Sequence, residues 1–183
     1  MIIILSGPSG VGKTTISKIL ENKGFFRSVS FTTRKIREEE EAGQDYHFIS
    51  KDEFLNKVQN NEFLEHVENF SNFYGSCAFS VDSALKQNKS VVMCLDQDGF
   101  FNAKKRWPGK VFGVFLLPPK IEVLRERLSK RNSGDLEERM RVIYEHSDSC
   151  SNGFDYKHPA SDLDDSINKI CKMASDFFDI ELS

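Results

Sequence analysis

The sequence predicts an α/β fold, a phosphate-loop (P-loop NTPase-type) parallel sheet flanked by helices. Three observations carry this. The apolar run Ile2-Ile3-Ile4-Leu5 leads into Gly7-Pro8-Ser9-Gly10-Val11-Gly12-Lys13-Thr14-Thr15, the order strand, glycine-rich loop, helix. Two further runs, 90–95 and 111–117, show the unbroken hydrophobicity of strands buried on both faces. Helix-length segments separate these runs, and such alternation builds parallel sheets.

Taken in chain order, residues 2–5 form the first strand and 13–23 a helix whose Ile16, Ile19 and Leu20 make an inward stripe, ended by Gly24. Residues 30–80 differ in character: charge and aromatics rise, and short strand-like pieces at 46–49 and 62–65 flank a helix at 51–60, which predicts an inserted lobe. The acidic run 38–41 is by default a solvated loop. Pro118-Pro119 stops the strand at 111–117 and sets up a helix at 120–130, with Ile121, Leu124 and Leu128 at helical spacing. A polar break at 132–135 separates two arginine-bearing helices and reads as a mobile flap. The expected organisation is a single domain with a core of residues 1–29, 81–124 and 142–183, a lobe at 30–80 and a helical lid at 125–141.

Composition narrows the function. A length of 183 residues suits one domain. With 25 Lys+Arg against 28 Asp+Glu the net charge is −3, which argues against a protein that coats nucleic acid or a membrane surface, so any anion site must be local. Cys77, Cys94, Cys150 and Cys171 form no CxxC pair and read as reduced, mostly buried thiols; His47, His66, His146 and His158 are equally scattered and carry no metal-ligand spacing. The apolar start is too short to span a membrane and has no basic leader, so the chain reads as cytoplasmic.

The chemistry of the glycine-rich loop is specific. Its glycines let backbone N–H groups converge on phosphate oxygens, Lys13 adds a mobile cation, and Thr14 can place a hydroxyl on Mg²⁺. Gly7 through Thr15 are therefore the expected ATP-binding residues. A glycine-rich turn that merely joins strand to helix is the alternative, and the strand before and helix after weigh against it.

A second constellation addresses the acceptor. The segment Ser30-Phe31-Thr32-Thr33-Arg34-Lys35-Ile36-Arg37, continuing through Glu40, Gly43, Asp45 and Tyr46 with Glu65 and Tyr74-Gly75-Ser76 downstream, closely resembles the monophosphate-binding lobe of guanylate kinases. Asp96, Pro118-Pro119 and the arginines Arg127, Arg131 and Arg139 extend the resemblance over nearly the whole chain. It implies a kinase that transfers the γ-phosphoryl of ATP to GMP, and to dGMP, with Mg²⁺ as cofactor and residues 30–80 as the GMP-binding lobe. Arg34 and Arg37 would fork onto the acceptor's phosphate, as guanidinium groups do, and Ser30, Glu40, Tyr46 and Tyr74 would complete that pocket. Glu65 and Ser76 would read guanine, the carboxylate facing its N–H donors and the hydroxyl its carbonyl, with Asp96 assisting; a polar mismatch with adenine can discriminate by roughly 10⁴-fold. Lys13, Arg34, Arg127, Arg131 and Arg139 would supply positive charge to the transferring phosphoryl group.

The chain also departs from the family pattern. Cys94 stands where a further aspartate is usual, Asp98 where glutamine is, and Ala160-Ser161-Asp162 where an asparagine-aspartate-aspartate element meets the adenine; the lid is shorter between Arg131 and Arg139. Two competing readings remain. A P-loop kinase of a sugar phosphate would keep the loop but not need Glu65, Ser76 and the tyrosines together, and a non-catalytic phosphopeptide-binding module would not need Lys13 and Thr14.

Overall fold

The computed structural model describes residues 1–69, 71–129, 136–137, 140–141, 143, 150–159 and 162–180. At its centre is strand β1 (Ile2–Ser6), every residue of which is buried. Its neighbours are β7 (Val91–Cys94) and β8 (Val111–Leu116); β2 (Phe26–Arg27) and β9 (Tyr156–His158) complete a five-stranded parallel sheet in the order β2-β7-β1-β8-β9. The period of two along β1 splits the core. Ile2 and Ile4 join Met93, Phe100, Trp107 and Phe115 on one face, under helices α3 (Ala78–Lys86) and α4 (Gln97–Arg106). Ile3 and Leu5 join Leu20, Val92, Val114 and Ile170 on the other, under α1 (Lys13–Asn22) and the C-terminal helix α6 (Leu163–Phe178). Each such fully buried side chain stabilises the fold by about 1.5–3 kcal/mol.

A second sheet of four short strands, in the order β4-β3-β6-β5, is formed by β3 (Phe31–Thr32), β4 (His47–Phe48), β5 (Phe63–Asn69) and β6 (Asn72–Cys77). Helix α2 (Lys51–Gln59) covers it, started by a capping box in which the Ser50 hydroxyl accepts from the Glu53 N–H and the Glu53 carboxylate accepts from the Ser50 N–H. Its one fully buried residue, Phe54, stacks on Phe63 at 4.6 Å and lies 5.4 Å from Phe73. Gly75 makes this possible, because a Cβ there would stand 3.0 Å from both the Phe54 and Phe63 rings. The β5–β6 ladder shifts register between Phe63 and Glu65: Phe63 faces Cys77, yet Glu65 faces Ser76, so β5 carries one extra residue, a β-bulge at Leu64.

Helix α5 (Ile121–Ser129) buries Leu124 and Leu128 against Leu136, Met140 and Ile143. Ile121, expected on the inward stripe, is 45% exposed, since the first residue of this helix precedes the turn that meets the core. The four cysteines are free thiols and only partly buried, so the expectation of mostly buried thiols is corrected. His158 is buried, its Nε2 2.9 Å from the Ser166 hydroxyl, an interior hydrogen-bonded imidazole. Among the described residues no helix is long and apolar enough to cross a membrane, and no cluster of three or more His, Cys, Asp or Glu could hold a metal ion.

Candidate active site

The glycine-rich loop leaves the C-terminal end of central strand β1 and enters α1, the edge of a parallel sheet where ligand sites form. Two of its glycines are sterically required. Gly7 has φ +134°, and a Cβ there would lie 2.5 Å from the Leu116 carbonyl oxygen; at Gly10, φ +85°, it would meet Leu124 at 2.9 Å. Lys13 Nζ donates to the carbonyls of Gly7 and Pro8 at 2.5 and 2.8 Å, folding the cation over the loop. Thr14 is exposed in the first turn of α1, which carries no acidic residue to compete with an anion. Arg127 on α5 reaches the same loop, its Nη1 donating to Gly10 O at 3.3 Å. Arg131 and Arg139 lie outside the described residues, as do the flap at 132–135 and Ala160-Ser161.

Around the second sheet the expected acceptor residues gather in two groups. In the first, Arg34 forks onto Glu40, Nη1 and Nη2 donating at 2.9 and 2.7 Å, and its guanidinium sits 5.6 Å from the Tyr46 ring centre. The Glu40 carboxylate also accepts from the Arg37 N–H and lies 3.7 Å from the Arg37 guanidinium. These contacts raise Arg34 and lower Glu40 relative to their ordinary pKa values, outweighing burial, which acts the other way on each. Glu40 is therefore not part of a solvated acidic loop. Tyr46 and Tyr74 meet edge to face at 6.0 Å, and burial, with smaller contributions from Cys94 and Tyr74, pushes the Tyr46 phenol up to about 12. The backbone that carries Arg34 is clamped to β6: the Thr32 hydroxyl donates to Phe73 O while that of Thr33 accepts from Phe73 N, both at 2.9 Å.

In the second group Glu65 and Ser76 are cross-strand partners, and the Ser76 hydroxyl is 2.9 Å from that of Ser30. Asp96 follows β7 and caps α4, its Oδ1 accepting from Gly99 N at 2.8 Å. An open cleft of about 980 Å³ runs past Glu65 and Asp96 toward Asp98, Asn102 and Lys105. It borders Glu65 and Asp96 rather than the phosphate loop. Desolvation, reinforced by Asp96 and Asp98, pushes the Glu65 carboxyl up to about 7, against the opposing influence of Ser76.

The structure adds residues that sequence reading passed over. Lys18 on α1 pairs with Asp45 at 2.7 Å, and buried Arg27 donates to Glu21 Oε2 and to the Gln44 carbonyl, each at 2.7 Å. The loop that ends in Tyr46 is thus tied to the helix behind the phosphate loop. Only the adjacency of Asp45 to Tyr46 could have hinted at this.

A phosphate loop on a parallel sheet, facing a cluster of arginines and tyrosines on a second sheet, defines a P-loop kinase of a small phosphorylated acceptor. The guanylate kinase family model matches residues 1–177. A guanylate kinase of Wolbachia pipientis wMel is 40% identical over 174 residues, 93% of this chain and 87% of its own length. One of Wolinella succinogenes is 43% identical over 150 residues, 80% and 70% of the two chains. The crystal structure of guanylate kinase from Anaplasma phagocytophilum superposes with a TM-score of 0.77 at 30% identity, covering 96% of this chain and 85% of that one. A gluconokinase from Sinorhizobium meliloti, 15% identical with a TM-score of 0.55, shares the fold alone. The chain belongs to the guanylate kinase family, and with it to the ATP-dependent nucleoside monophosphate kinases.

Proposed function

We propose that this enzyme transfers the γ-phosphoryl of ATP to GMP, and to dGMP, through the residues described above. The observation that carries the reading is the pairing of Glu65 with Ser76 beside the Arg34–Tyr46–Tyr74 cluster, a carboxylate and a hydroxyl for guanine next to a forked cation for its phosphate. Glu65 accepts from the N1 and N2 donors, Ser76 faces the O6 edge, and Asp96 assists. Arg34 and Arg37, with Ser30, Glu40, Tyr46 and Tyr74, hold the acceptor phosphate.

On the donor side the loop from Gly7 to Thr15 wraps the triphosphate, and Lys13 swings from the Gly7 and Pro8 carbonyls onto its oxygens. Arg127, already against the loop, adds charge; Arg131 and Arg139 of the lid are proposed to join it on sequence grounds. The site fits Mg²⁺ as an ion carried by the nucleotide, since the described residues offer the Thr14 hydroxyl at the start of α1 and no cluster of acidic ligands. When bound, the ion supplies charge neutralisation to the triphosphate. With a loose transition state, catalysis is mainly alignment of the two nucleotides and electrostatic stabilisation. The chain is proposed to act in the cytoplasm, on free nucleotides, as a single domain with residues 30–80 as acceptor lobe and 125–141 as lid.

A coupled ADP-release assay across GMP, dGMP, AMP, CMP and UMP tests this. Turnover is expected with the two guanine nucleotides only. Turnover with none of them, or equal rates across bases, overturns the reading.

A further inference from the structure

Gly99 sits in the first turn of α4, between the two carboxylates of the base-reading group. Its φ lies outside the left-handed region, so the backbone there does not require glycine. Glycine in a helix is disfavoured relative to alanine, which leaves space as the reason for it. A Cβ at this position would stand 2.8 Å from Glu65 Cγ, 3.1 Å from Leu95 Cβ and 3.2 Å from Asp96 Oδ1. The tightest of these three is with the stem of Glu65, close to its backbone and not at a free end that could swing aside. Glu65 faces Ser76 across the β5–β6 ladder, and the Ser76 hydroxyl is itself within hydrogen-bond distance of Ser30. The Gly99 N–H meanwhile donates to Asp96 Oδ1 at 2.8 Å.

We infer that Gly99 is a positioning residue for guanine selectivity: its missing side chain lets Glu65 lie flat on α4, and its N–H fixes Asp96 beside it. The inference rests on Glu65 as reader of the base. Carbon atoms settle at about 3.5–4.0 Å, so a methyl group at 99 displaces the Glu65 stem by roughly 0.7 Å or more. The carboxylate travels with the stem, away from the register that Ser76 sets. Misplacements near 1 Å at a reacting or recognising group cost on the order of 10²-fold. The loss falls on base recognition, because the three atoms nearest the added Cβ belong to Glu65, Leu95 and Asp96, and none to the phosphate loop or the Arg34 cluster.

The test compares wild type, Gly99→Ala, Glu65→Ala and the double variant in steady-state assays with GMP and inosine monophosphate, which lacks the N2 amine. For Gly99→Ala we expect a KM for GMP at least tenfold higher, an unchanged KM for ATP and a smaller GMP to inosine monophosphate preference. In the Glu65→Ala background, where no stem remains to be struck, adding Gly99→Ala is expected to change GMP kinetics less than twofold. A folded Gly99→Ala enzyme with wild-type GMP kinetics, or one whose loss persists undiminished without the Glu65 side chain, overturns the inference. Should Gly99→Ala fail to fold, the double variant decides: recovery of the fold supports the Glu65 contact, and continued failure assigns the space to Leu95 and overturns it. A wild-type enzyme with no preference for GMP would instead sink the reading of Glu65 itself, so the two failures are distinguishable.

Discussion

Arg34 and Glu40 hold each other through two hydrogen bonds of 2.9 and 2.7 Å, with 14% of each side chain exposed. The same carboxylate accepts from the Arg37 N–H, so Glu40 ties the two arginines proposed for the acceptor phosphate together and keeps Arg34 beside the Tyr46 ring. Truncating it leaves Arg34 free to collapse toward solvent. We expect Glu40→Ala to raise the KM for GMP by roughly tenfold, the scale of one or two charged hydrogen bonds, with the KM for ATP unchanged. Initial-rate measurements with each substrate varied in turn check this, and a rise confined to ATP would sever Glu40 from the acceptor phosphate.

Replacing Glu65 by Gln keeps the shape but removes an acceptor, because the amide cannot accept from both N1–H and N2–H of guanine. The expected loss in kcat/KM for GMP is roughly 10–100-fold. Competition between GMP and AMP reads the result directly. Unchanged discrimination in a folded variant would remove Glu65 from base recognition.

The same carboxyl sets a pH dependence. Desolvation, Asp96 and Asp98 raise it from 4.5 to about 7 in the ligand-free protein, and the proposed recognition of guanine uses its ionised form. The KM for GMP should therefore climb as pH falls below about 7, and GMP binding near neutrality should release a proton, measurable as a buffer-dependent heat in calorimetry. The stability effect has the opposite sense. Between pH 4.5 and 7 the folded state holds a proton that the unfolded state has lost, so Glu65 costs stability as pH rises through this window. The gain in melting temperature of Glu65→Gln over wild type should be larger at pH 8 than at pH 5; a gap that is the same at both would rule out this titration.

Lys13, which lies on the Gly7 and Pro8 carbonyls, is proposed to serve the donor. Lys13→Ala is expected to lower kcat by at least about 10²-fold, as for loss of a transition-state donor. GMP affinity should stay within about twofold, because the charge for the acceptor is proposed to come from Arg34 and Arg37. Titration calorimetry with GMP separates the two effects, and lost GMP affinity would contradict the division.

Much of this was legible because it is local. Unbroken apolar runs disclosed β1, β7 and β8, and the glycine-rich loop with Lys13 announced itself by spacing alone. The acceptor residues were reached only through the family pattern, since nothing in the order of Arg34, Glu65 and Ser76 says that they converge. Strand β6 escaped notice because Asn72-Phe73-Tyr74-Gly75-Ser76-Cys77 has no alternation, its glycine being demanded by the rings of Phe54 and Phe63. The ties of Lys18 to Asp45 and of Arg27 to Gln44 join positions 27 and 17 residues apart, beyond the reach of any periodic signal. Ile121 was misplaced because a helix's first residue shares its period but not its surroundings.

The bulge at Leu64 makes base reading a matter of counting. Phe63 and His66 both lie toward Phe54, 4.6 and 6.4 Å from its ring, although they are three positions apart; Glu65 falls on the opposite side, between Ser76 and α4. In a regular ladder Phe63 and Glu65 would share a side, and the carboxylate would point into the aromatic interior. The genetic consequence is an asymmetry between kinds of change in residues 63–69. Single substitutions there alter one contact each, whereas in-frame loss of the Leu64 codon removes only the extra residue: Phe63 stays opposite Cys77 and Glu65 opposite Ser76 as consecutive ladder positions, so the carboxylate keeps its side.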